Sequence, residues 1–376
     1  MNKSFHLTLM VGPAVPIPVP QVVLEALTGV QISSTAARNT PSGFQLTFNL
    51  GNRSPLQTIF LLAGGAVPPL LRVVVVVTVG GIPEVLIDGV VTQTSITPGG
   101  AGPSTLAVTG MDLSAVMNLI DFDGFPFPAM PAEARVLVMI AKYAAFGVIP
   151  LVIPSVLLDI PIPVKEIPRQ VGTDLDYIRR LAEEVGYVFY LKPGPAPGTS
   201  VAYWGPEIKV GTPQPALNVD MDAHTNVESL SFSFDAENAE LPVLLIQNPE
   251  TKVPIPIPVP AITPLNPPLG LIPPLPKRIK WIEGTAKLNP IRAALIGLAK
   301  ASQTADAVTA RGTLDTLRYG RPLRARELVG VRGAGEAFDG LYFVKSVTHD
   351  IKRGEYKQSF QLSRNGLIST LSKVPA

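Results

Sequence analysis

The chain has 376 residues, a formal net charge of +2 and no cysteine. This length allows two or three domains, the near-neutral charge gives no reason to expect specific binding of nucleic acid or of an anionic membrane, and the lack of cysteine excludes disulfides and thiolate zinc sites. Proline is frequent, with 40 residues, and the mean hydropathy of +0.31 is high, so we expect apolar surface to be covered by partner chains.

No segment of the sequence has the pattern of a membrane-spanning helix. The longest apolar run, 144–158, is shorter than the roughly 20 residues that a spanning helix needs. Pro150 and Pro154 also interrupt it. The N-terminus has no apolar stretch of the kind found in signal peptides, because prolines occupy 13, 16, 18 and 20. We therefore predict neither a membrane span nor a signal peptide.

Residues 1–110 indicate a β-rich domain. Apolar and polar side chains alternate with period two over 5–9 and over 44–50. The runs 73–77 and 84–94 add two more strands, separated by a Gly-Gly pair. Many short strands with turns between them favour a barrel or a sandwich.

Residues 111–205 change to a mixed pattern. Helices are predicted over 111–120, over 131–143 and over 174–185, the last with Thr173 as its N-cap and Gly186 as its end. Two strands are predicted to follow, over 187–191 and 201–204. This order predicts a small α+β domain.

Residues 206–376 return to a β pattern. Strands are predicted over 226–234, 307–314 and 323–331, and a helix over 289–301. The Pro-rich stretch 253–276 lacks the amide hydrogens that a central strand needs, so we predict an extended, polyproline-like loop there.

The hairpin at 338–366 has a counterpart early in the chain. Asp, Gly, Ser and Thr occupy positions 88, 89, 95 and 97, and again 339, 340, 346 and 348, with identical spacing. A glycine-containing turn and a second strand follow in both copies. The apolar pattern around Val344 changes face, which indicates a local irregularity in that strand. We predict two related β-domains about 250 residues apart.

One segment resembles a known family. Residues 173–187, Thr-Asp-Leu-Asp-Tyr-Ile-Arg-Arg-Leu-Ala-Glu-Glu-Val-Gly-Tyr, are similar to the helix-strand signature of the phage late control gene D family. Segments 201–206, 225–230 and 338–366 resemble the same family, so that the likeness covers nearly the whole chain. Its members are tail baseplate hubs, similar to the hub part of type VI secretion VgrG proteins and of extracellular contractile injection systems.

The resemblance implies a fold and an assembly. Two tube-protein-like β-barrels, at 1–110 and 206–376, would flank the smaller α+β domain at 111–205, and the second barrel would carry a Pro-rich insertion at about 247–280. A homotrimer would then form a pseudo-sixfold ring that adapts a threefold spike to a sixfold inner tube. The implied partners are a separate spike protein, an inner tube or tube-initiator protein, and baseplate wedge proteins. Assembly would take place in the bacterial cytoplasm, as part of a phage-like particle.

Few residues have the pattern of a catalytic or metal site. Asp220, Asp222 and His224 would share one face of a strand and could bind a hard cation, but a solvated loop is the favoured interpretation. His349 is interpreted as a turn residue rather than as a ligand or base. The motifs at 121–124 and 333–335 lack the rest of a calcium loop and of a dinucleotide site, respectively. We predict no catalytic, cofactor or metal site, and no enzyme.

Basic residues cluster on the last predicted hairpin. They are Lys345, Lys352, Arg353, Lys357 and Arg364. They form either an ordinary solvated sheet face or a docking surface toward the tube or the channel lining, and the sequence leaves both interpretations open. The function predicted from the resemblance is that of a structural baseplate hub. The alternatives are a tail-associated peptidoglycan hydrolase and a receptor-binding tail β-protein.

Overall fold

Strands dominate the computed structural model, as the predicted mainly-β class requires. The structure describes residues 4–13, 15–51, 56, 59–60, 70–100, 102–155, 167–235, 240–247, 253–259, 266–282, 293–298, 301, 306–371 and 374. In these ranges, one large sheet contains thirteen strands, and the other described strands form two three-stranded sheets and one two-stranded sheet. Within the described ranges, no helix combines the length and the apolar character needed to cross a bilayer.

Seven strands near the N-terminus form what we call the first β-unit. They are β1 (Phe5–Gly12), β2 (Ile17–Pro18), β3 (Leu27–Thr35), β4 (Gly43–Leu50), β5 (Arg72–Val79), β6 (Ile82–Thr97) and β7 (Ser104–Asp112), with the short helix α1 (Gln21–Ala26) before β3. Their order in the sheet is β3-β4-β7-β6-β5-β1-β2. Alternation sets the inward face, because Leu46 and Phe48 of β4 are buried whereas Gln45 and Asn49 are exposed.

The α+β segment that follows has its own apolar core. Its elements are α2 (Ser114–Met117), α3 (Ala132–Ala141), β8 (Val148–Val152), α4 (Asp174–Glu184), β9 (Val188–Pro193) and β10 (Ser200–Gly205). The sheet order is β8-β10-β9. Helix α4 buries a stripe formed by Leu175, Ile178 and Leu181, and the Thr173 hydroxyl caps it by accepting a hydrogen bond from the Asp176 amide at 3.2 Å.

Two of the three helices predicted in this segment form as expected, over Ala132–Ala141 and Asp174–Glu184. The helix predicted over 111–120 is wrong in its first part. Strand β7 continues to Asp112, because Met111 and Asp112 still pair with β6, and only Ser114–Met117 is helical. Pairing with a neighbouring strand therefore overrides the local helical pattern.

The remaining strands include a second set that we call the second β-unit, made of β11, β12, β17, β18, β19 and β20. From residue 206 on, the strands are β11 (Gln214–Asn218), β12 (Val227–Phe234), β13 (Glu240–Gln247), β14 (Pro254–Pro258), β15 (Gly270–Ile272), β16 (Arg278–Ile282), β17 (Val308–Asp315), β18 (Leu328–Arg332), β19 (Gly340–Lys352), β20 (Glu355–Arg364) and β21 (Leu367–Ser369), with helix α5 (Thr316–Tyr319) after β17. Residues 293–298 are also helical.

The two β-units have the same strand order. In the second unit the order is β12-β17-β20-β19-β18-β11, which corresponds one by one to β3-β4-β7-β6-β5-β1 in the first unit. One difference is that β11 runs parallel to β18, whereas β1 runs antiparallel to β5. The predicted relationship between the two ends of the chain is therefore present as a repeated sheet topology.

Matching β-bulges fix how the two units align. An extra residue interrupts the ladder at Thr92 in β6 and at Lys345 in β19, which confirms the irregularity predicted near Val344. A second pair of bulges lies at Thr28 in β3 and at Glu228 in β12. The Asp-Gly repeat aligns Thr92 with Phe343, whereas the bulges align Thr92 with Lys345. The alignment predicted from the repeat is therefore displaced by two residues.

The Pro-rich stretch departs from the predicted loop. Strand β14 pairs with β13, and β13 pairs with β16, in a small separate sheet. The Val259 amide donates to the Pro242 carbonyl at 2.9 Å, and the register then directs the amides of Ile255 and Ile257 toward β13. At the alternating positions, the backbone nitrogens of Pro256 and Pro258 point away from β13, where no amide hydrogen is needed. Proline is thus accommodated on an edge strand.

Candidate assembly interface

The two β-units are joined edge to edge within one chain. Strand β19 pairs with β20 on one side and with β3 on the other. The β19–β3 register is antiparallel and runs from Ser346 opposite Thr35 to Lys352 opposite Gly29. We call this junction the internal seam. It creates a continuous run of strands in the order β12-β17-β20-β19-β3-β4-β7-β6.

A histidine lies at the centre of the internal seam. His349 is opposite Ile32, and both side chains are buried. The His349 Nδ1 atom is 2.7 Å from the Tyr356 hydroxyl and 3.2 Å from the Gln358 side-chain nitrogen. Burial lowers the pKa of His349 to about 4, so that the ring is neutral at neutral pH. The interpretation of His349 as a turn residue is wrong, because β19 continues to Lys352.

Arg326, which precedes β18, connects the internal seam to Tyr190 of the α+β segment. Arg326 donates from Nη2 to the Thr35 carbonyl at 2.7 Å, next to the point where the Ala36 amide donates to the Lys345 carbonyl at 2.6 Å. The Arg326 guanidinium also lies 3.8 Å from the centroid of the Tyr190 ring. This cation-π contact joins the α+β segment to both β-units at one place.

Lys345, the first of the five predicted interface residues, is the bulge residue beside the seam. Its ammonium group lies 2.8 Å from Asp306, which also contacts Lys209 at 3.4 Å and accepts a hydrogen bond from the Ser363 hydroxyl at 2.9 Å. Burial alone would raise the pKa of Asp306, but the charges of Lys209 and Lys345 hold it below its usual value. Lys345 is therefore part of a charged cluster inside one chain.

Three more of the predicted residues lie at or near the tip of the β19–β20 hairpin. Each already has a partner in the same chain: Lys352 contacts Asp350 at 3.2 Å, Arg353 donates to the Glu25 carbonyl, and Lys357 contacts Glu228 at 3.1 Å. The side chains of Lys352 and Lys357 are about half exposed. Exposed pairs of this kind contribute little to stability. Their role as contacts to a partner stays a prediction.

Arg364 differs from the other four predicted residues, because it is fully buried. Its guanidinium donates to the Asp339 carbonyl at 2.8 Å and to the Ala337 carbonyl at 2.7 Å, and it lies 4.6 Å from the centroid of the Tyr342 ring. Burial lowers its pKa. The interpretation of all five residues as one surface cluster is therefore wrong for Arg364, which stabilises the interior of the second β-unit.

A second buried ion pair joins the first β-unit to the α+β segment. Arg72 and Asp88 form a bidentate contact, with distances of 2.7 and 2.6 Å, and both side chains are almost completely buried. Arg72 also donates to the Gly198 carbonyl at 2.9 Å. Burial raises the pKa of the Asp88 carboxyl, although Arg72 opposes the change.

The two ends of the continuous strand run have unpaired edges. Among the described strands, residues 93–97 of β6 pair only with β7, and β12 pairs only with β17. Large apolar side chains are accessible there, with Ile96 45% and Phe234 37% exposed. Open strand edges with exposed apolar residues are typical of surfaces that pair with another chain.

The other residues considered for chemistry have structural surroundings. Residues 220–224 form a turn and a short 3-10 helix instead of a strand, so that Asp220, Asp222 and His224 do not share a strand face. Asp121 accepts a hydrogen bond from the Asp123 amide at 2.9 Å within a turn. Residues 333–335 form the turn after β18, with no helix following. Within the described ranges, no three acidic or histidine side chains are grouped as metal ligands.

Solved structures with similar coordinates include two tail proteins and a chain of a PdpA-VgrG complex. A tail protein from Neisseria meningitidis MC58 superposes with a TM-score of 0.63 at 14% identity, covering 97% of this chain and 98% of that chain. The chain shares the fold of this tail protein. A 43 kDa tail protein of prophage MuSo2 from Shewanella oneidensis has a TM-score of 0.60 at 14% identity, covering 96% and 98%. A chain of the Francisella PdpA-VgrG complex has a TM-score of 0.61 at 8% identity, covering 99% and 55%.

These similarities confirm, at the level of the fold, the resemblance stated from the sequence. No family model matches the sequence, and a comparison with curated proteins finds no similar sequence. The tail-protein fold is therefore recognised through its coordinates, over nearly the full length of the two tail proteins.

Proposed function

We propose that this protein is the structural hub of a contractile, phage-tail-like injection machine and that it has no catalytic role. Three copies form a ring of six β-units. The ring adapts a threefold spike on one side to a sixfold inner tube on the other. In this proposal the domains are 1–110, 111–205 and 206–376, with the two β-units inside the first and the last.

One observation carries the proposal: a single chain contains two β-units of the same strand order, joined in a continuous sheet. A ring of six similar units made from three chains needs two such units in each chain. It also needs a junction inside the chain that resembles the junction between chains. The internal seam is a strand-to-strand junction of the kind that such a ring would repeat between chains. The similarity of the fold to tail proteins supports a structural role in a tail.

The proposal implies a set of partners. They are two further copies of the chain, a separate spike protein, an inner tube or tube-initiator protein, and baseplate wedge proteins. Assembly takes place in the bacterial cytoplasm as part of a phage-like particle. The surface charges near the β19–β20 tip are candidates for contacts with the tube.

Native mass spectrometry tests the proposal directly. Three chains of 39.9 kDa give a complex of about 120 kDa, and negative-stain images of that complex are expected to show a ring with six lobes. A monomer or a dimer at micromolar concentration would refute the trimeric hub. A turbidity assay on purified cell walls separates the hub from a peptidoglycan hydrolase, because a hub leaves the turbidity unchanged.

A further inference from the structure

We infer that the ring closes through a second seam, in which residues 93–97 of β6 pair with β12 of the next copy in one defined register. This inference rests on the proposed trimeric ring and adds to it the strands, the residue pairs and the hydrogen bonds. It follows from the equivalence of the two β-units, strand by strand and bulge by bulge.

The equivalence identifies the strands that form the second seam. Strand β6 corresponds to β19, and β12 corresponds to β3. The internal seam is the pair β19 and β3. Applying the same pairing to the corresponding strands joins β6 of one copy to β12 of the next copy. These are the two strands whose outer edges are unpaired within the described part of one chain.

The bulges determine the register. Because Thr92 corresponds to Lys345, Ile96 corresponds to His349. Because Thr28 corresponds to Glu228, Phe232 corresponds to Ile32. His349 is opposite Ile32 in the internal seam. In the second seam Ile96 is therefore opposite Phe232 of the second copy.

Neighbouring pairs follow from the same register. Thr94 is opposite Phe234 of the second copy, and Ser95 is opposite Ser233 of the second copy. The inward positions that His349 and Ile32 occupy in the internal seam are thus apolar in the second seam. Assembly would cover Ile96 and Phe234, which are partly exposed in the single chain.

Backbone hydrogen-bonding groups are available on both open edges. The Asp235 amide donates to the Ala307 carbonyl, so the groups of Phe234 and Phe232 point away from β17. In the internal seam the Ala36 amide donates to the Lys345 carbonyl, which directs the groups of His349 toward β3. The corresponding groups of Ile96 point to the open edge of β6. Two pairs, at Thr94 and Ile96, supply four backbone hydrogen bonds.

Cysteine cross-linking tests the register, because the natural chain has no cysteine. Ser95 and Ser233 form a pair without mutual hydrogen bonds, for which a Cα separation of about 4.5 Å suits a disulfide. Within one chain the two serines lie on opposite edges of the strand run, about seven strand spacings of ~4.8 Å apart. A disulfide in the double variant S95C/S233C therefore links different copies. We expect covalent dimers and trimers on a non-reducing gel.

The matched control is the double variant S95C/S229C. It places the second cysteine four residues along β12, about 13 Å from the predicted position, on the same face of the strand. We expect no cross-linked species above background. Equal cross-linking of both variants, or of the control alone, would overturn the register.

A proline substitution tests the seam without cysteine chemistry. The Thr94 amide faces the open edge and not β7, so Thr94→Pro leaves the β6–β7 ladder intact and removes one donor from the seam. We expect Thr94→Pro to be folded by circular dichroism and monomeric by native mass spectrometry, where the natural chain gives a trimer. A trimer that persists in Thr94→Pro and resists cross-linking in S95C/S233C overturns the second seam and leaves the proposed hub standing. A monomeric natural chain refutes the proposed hub itself.

Discussion

Acid should weaken the internal seam through a single side chain, His349. The imidazole of His349 is buried, and burial lowers its pKa from about 6.5 to about 4. The unfolded chain therefore binds a proton more readily than the folded chain between these two values. The stability that the neutral ring contributes is fully present above pH 6.5 and is lost as the pH falls toward 4. By this linkage the free energy of unfolding falls by about 2 kcal/mol between pH 7 and pH 5, and by about 3 kcal/mol at pH 4.

The assay is urea unfolding at a series of pH values, comparing the natural chain with His349→Gln. Other groups titrate in both proteins, so the quantity of interest is the difference between the two unfolding free energies. That difference should shrink by about 2 kcal/mol from pH 7 to pH 5. The controls are His6→Gln and His224→Gln, because both of these histidines are exposed. A difference that stays constant over this range, or an equal effect from either control, would falsify the assignment of the acid sensitivity to the seam.

Three other changes should alter stability in ways that urea unfolding at pH 7 can measure. Asp88→Asn leaves the buried charge of Arg72 without its carboxylate and should cost about 3 kcal/mol or more; a loss below ~1 kcal/mol would contradict this. Arg364→Met removes a buried guanidinium that donates to two backbone carbonyls and should cost about 2–3 kcal/mol, whereas Lys352→Met at the exposed hairpin tip should change stability by less than ~0.5 kcal/mol. Equal effects would contradict the buried position of Arg364. Thr173→Ala removes the α4 cap and should cost about 1 kcal/mol, against no change for Thr173→Ser.

Local patterns in the sequence predict most of the elements. The helix Asp174–Glu184 forms because its cap, its apolar stripe and its terminal glycine all agree. The strands Gly43–Leu50 and Glu355–Arg364 form because period-two alternation leaves one face for the core. The helix predicted over 111–120 is wrong in its first part, because Met111 and Asp112 pair with Val90 and Gly89 of the preceding strand β6. A periodicity window centred on 111–120 does not include those partner residues. Pairing between strands is the part of the fold that periodicity alone does not contain.

The Asp-Gly repeat shows how a sequence match can find the right elements in the wrong register. Asp88 forms a buried ion pair with Arg72, whereas Asp339 accepts a hydrogen bond from the Ala334 amide in a turn. The two aspartates thus have different structural roles. The bulges of the two strands that contain or follow them, at Thr92 and Lys345, are displaced by two residues from the alignment that the Asp-Gly repeat gives. Bulges leave no fixed residue type behind, so that their equivalence emerges only from the ladder. The buried position of Arg364 is hidden for a similar reason, because charge alone predicts a surface.

The internal seam also sets the rotation between neighbouring β-units on which closure of the proposed ring depends. Two edges that differ from each other form a heterologous contact, which generates either a closed ring or an open filament, depending on the rotation that one contact imposes. Six units joined by equivalent seams close only if each seam rotates the next unit by about 60° around a common axis. The covalent chain fixes this rotation at the internal seam, between β19 and β3. If the second seam repeats the same register, it repeats the same rotation. The angle between the two β-units of one chain is then the quantity that decides closure, and an angle far from 60° would require the two seams to differ.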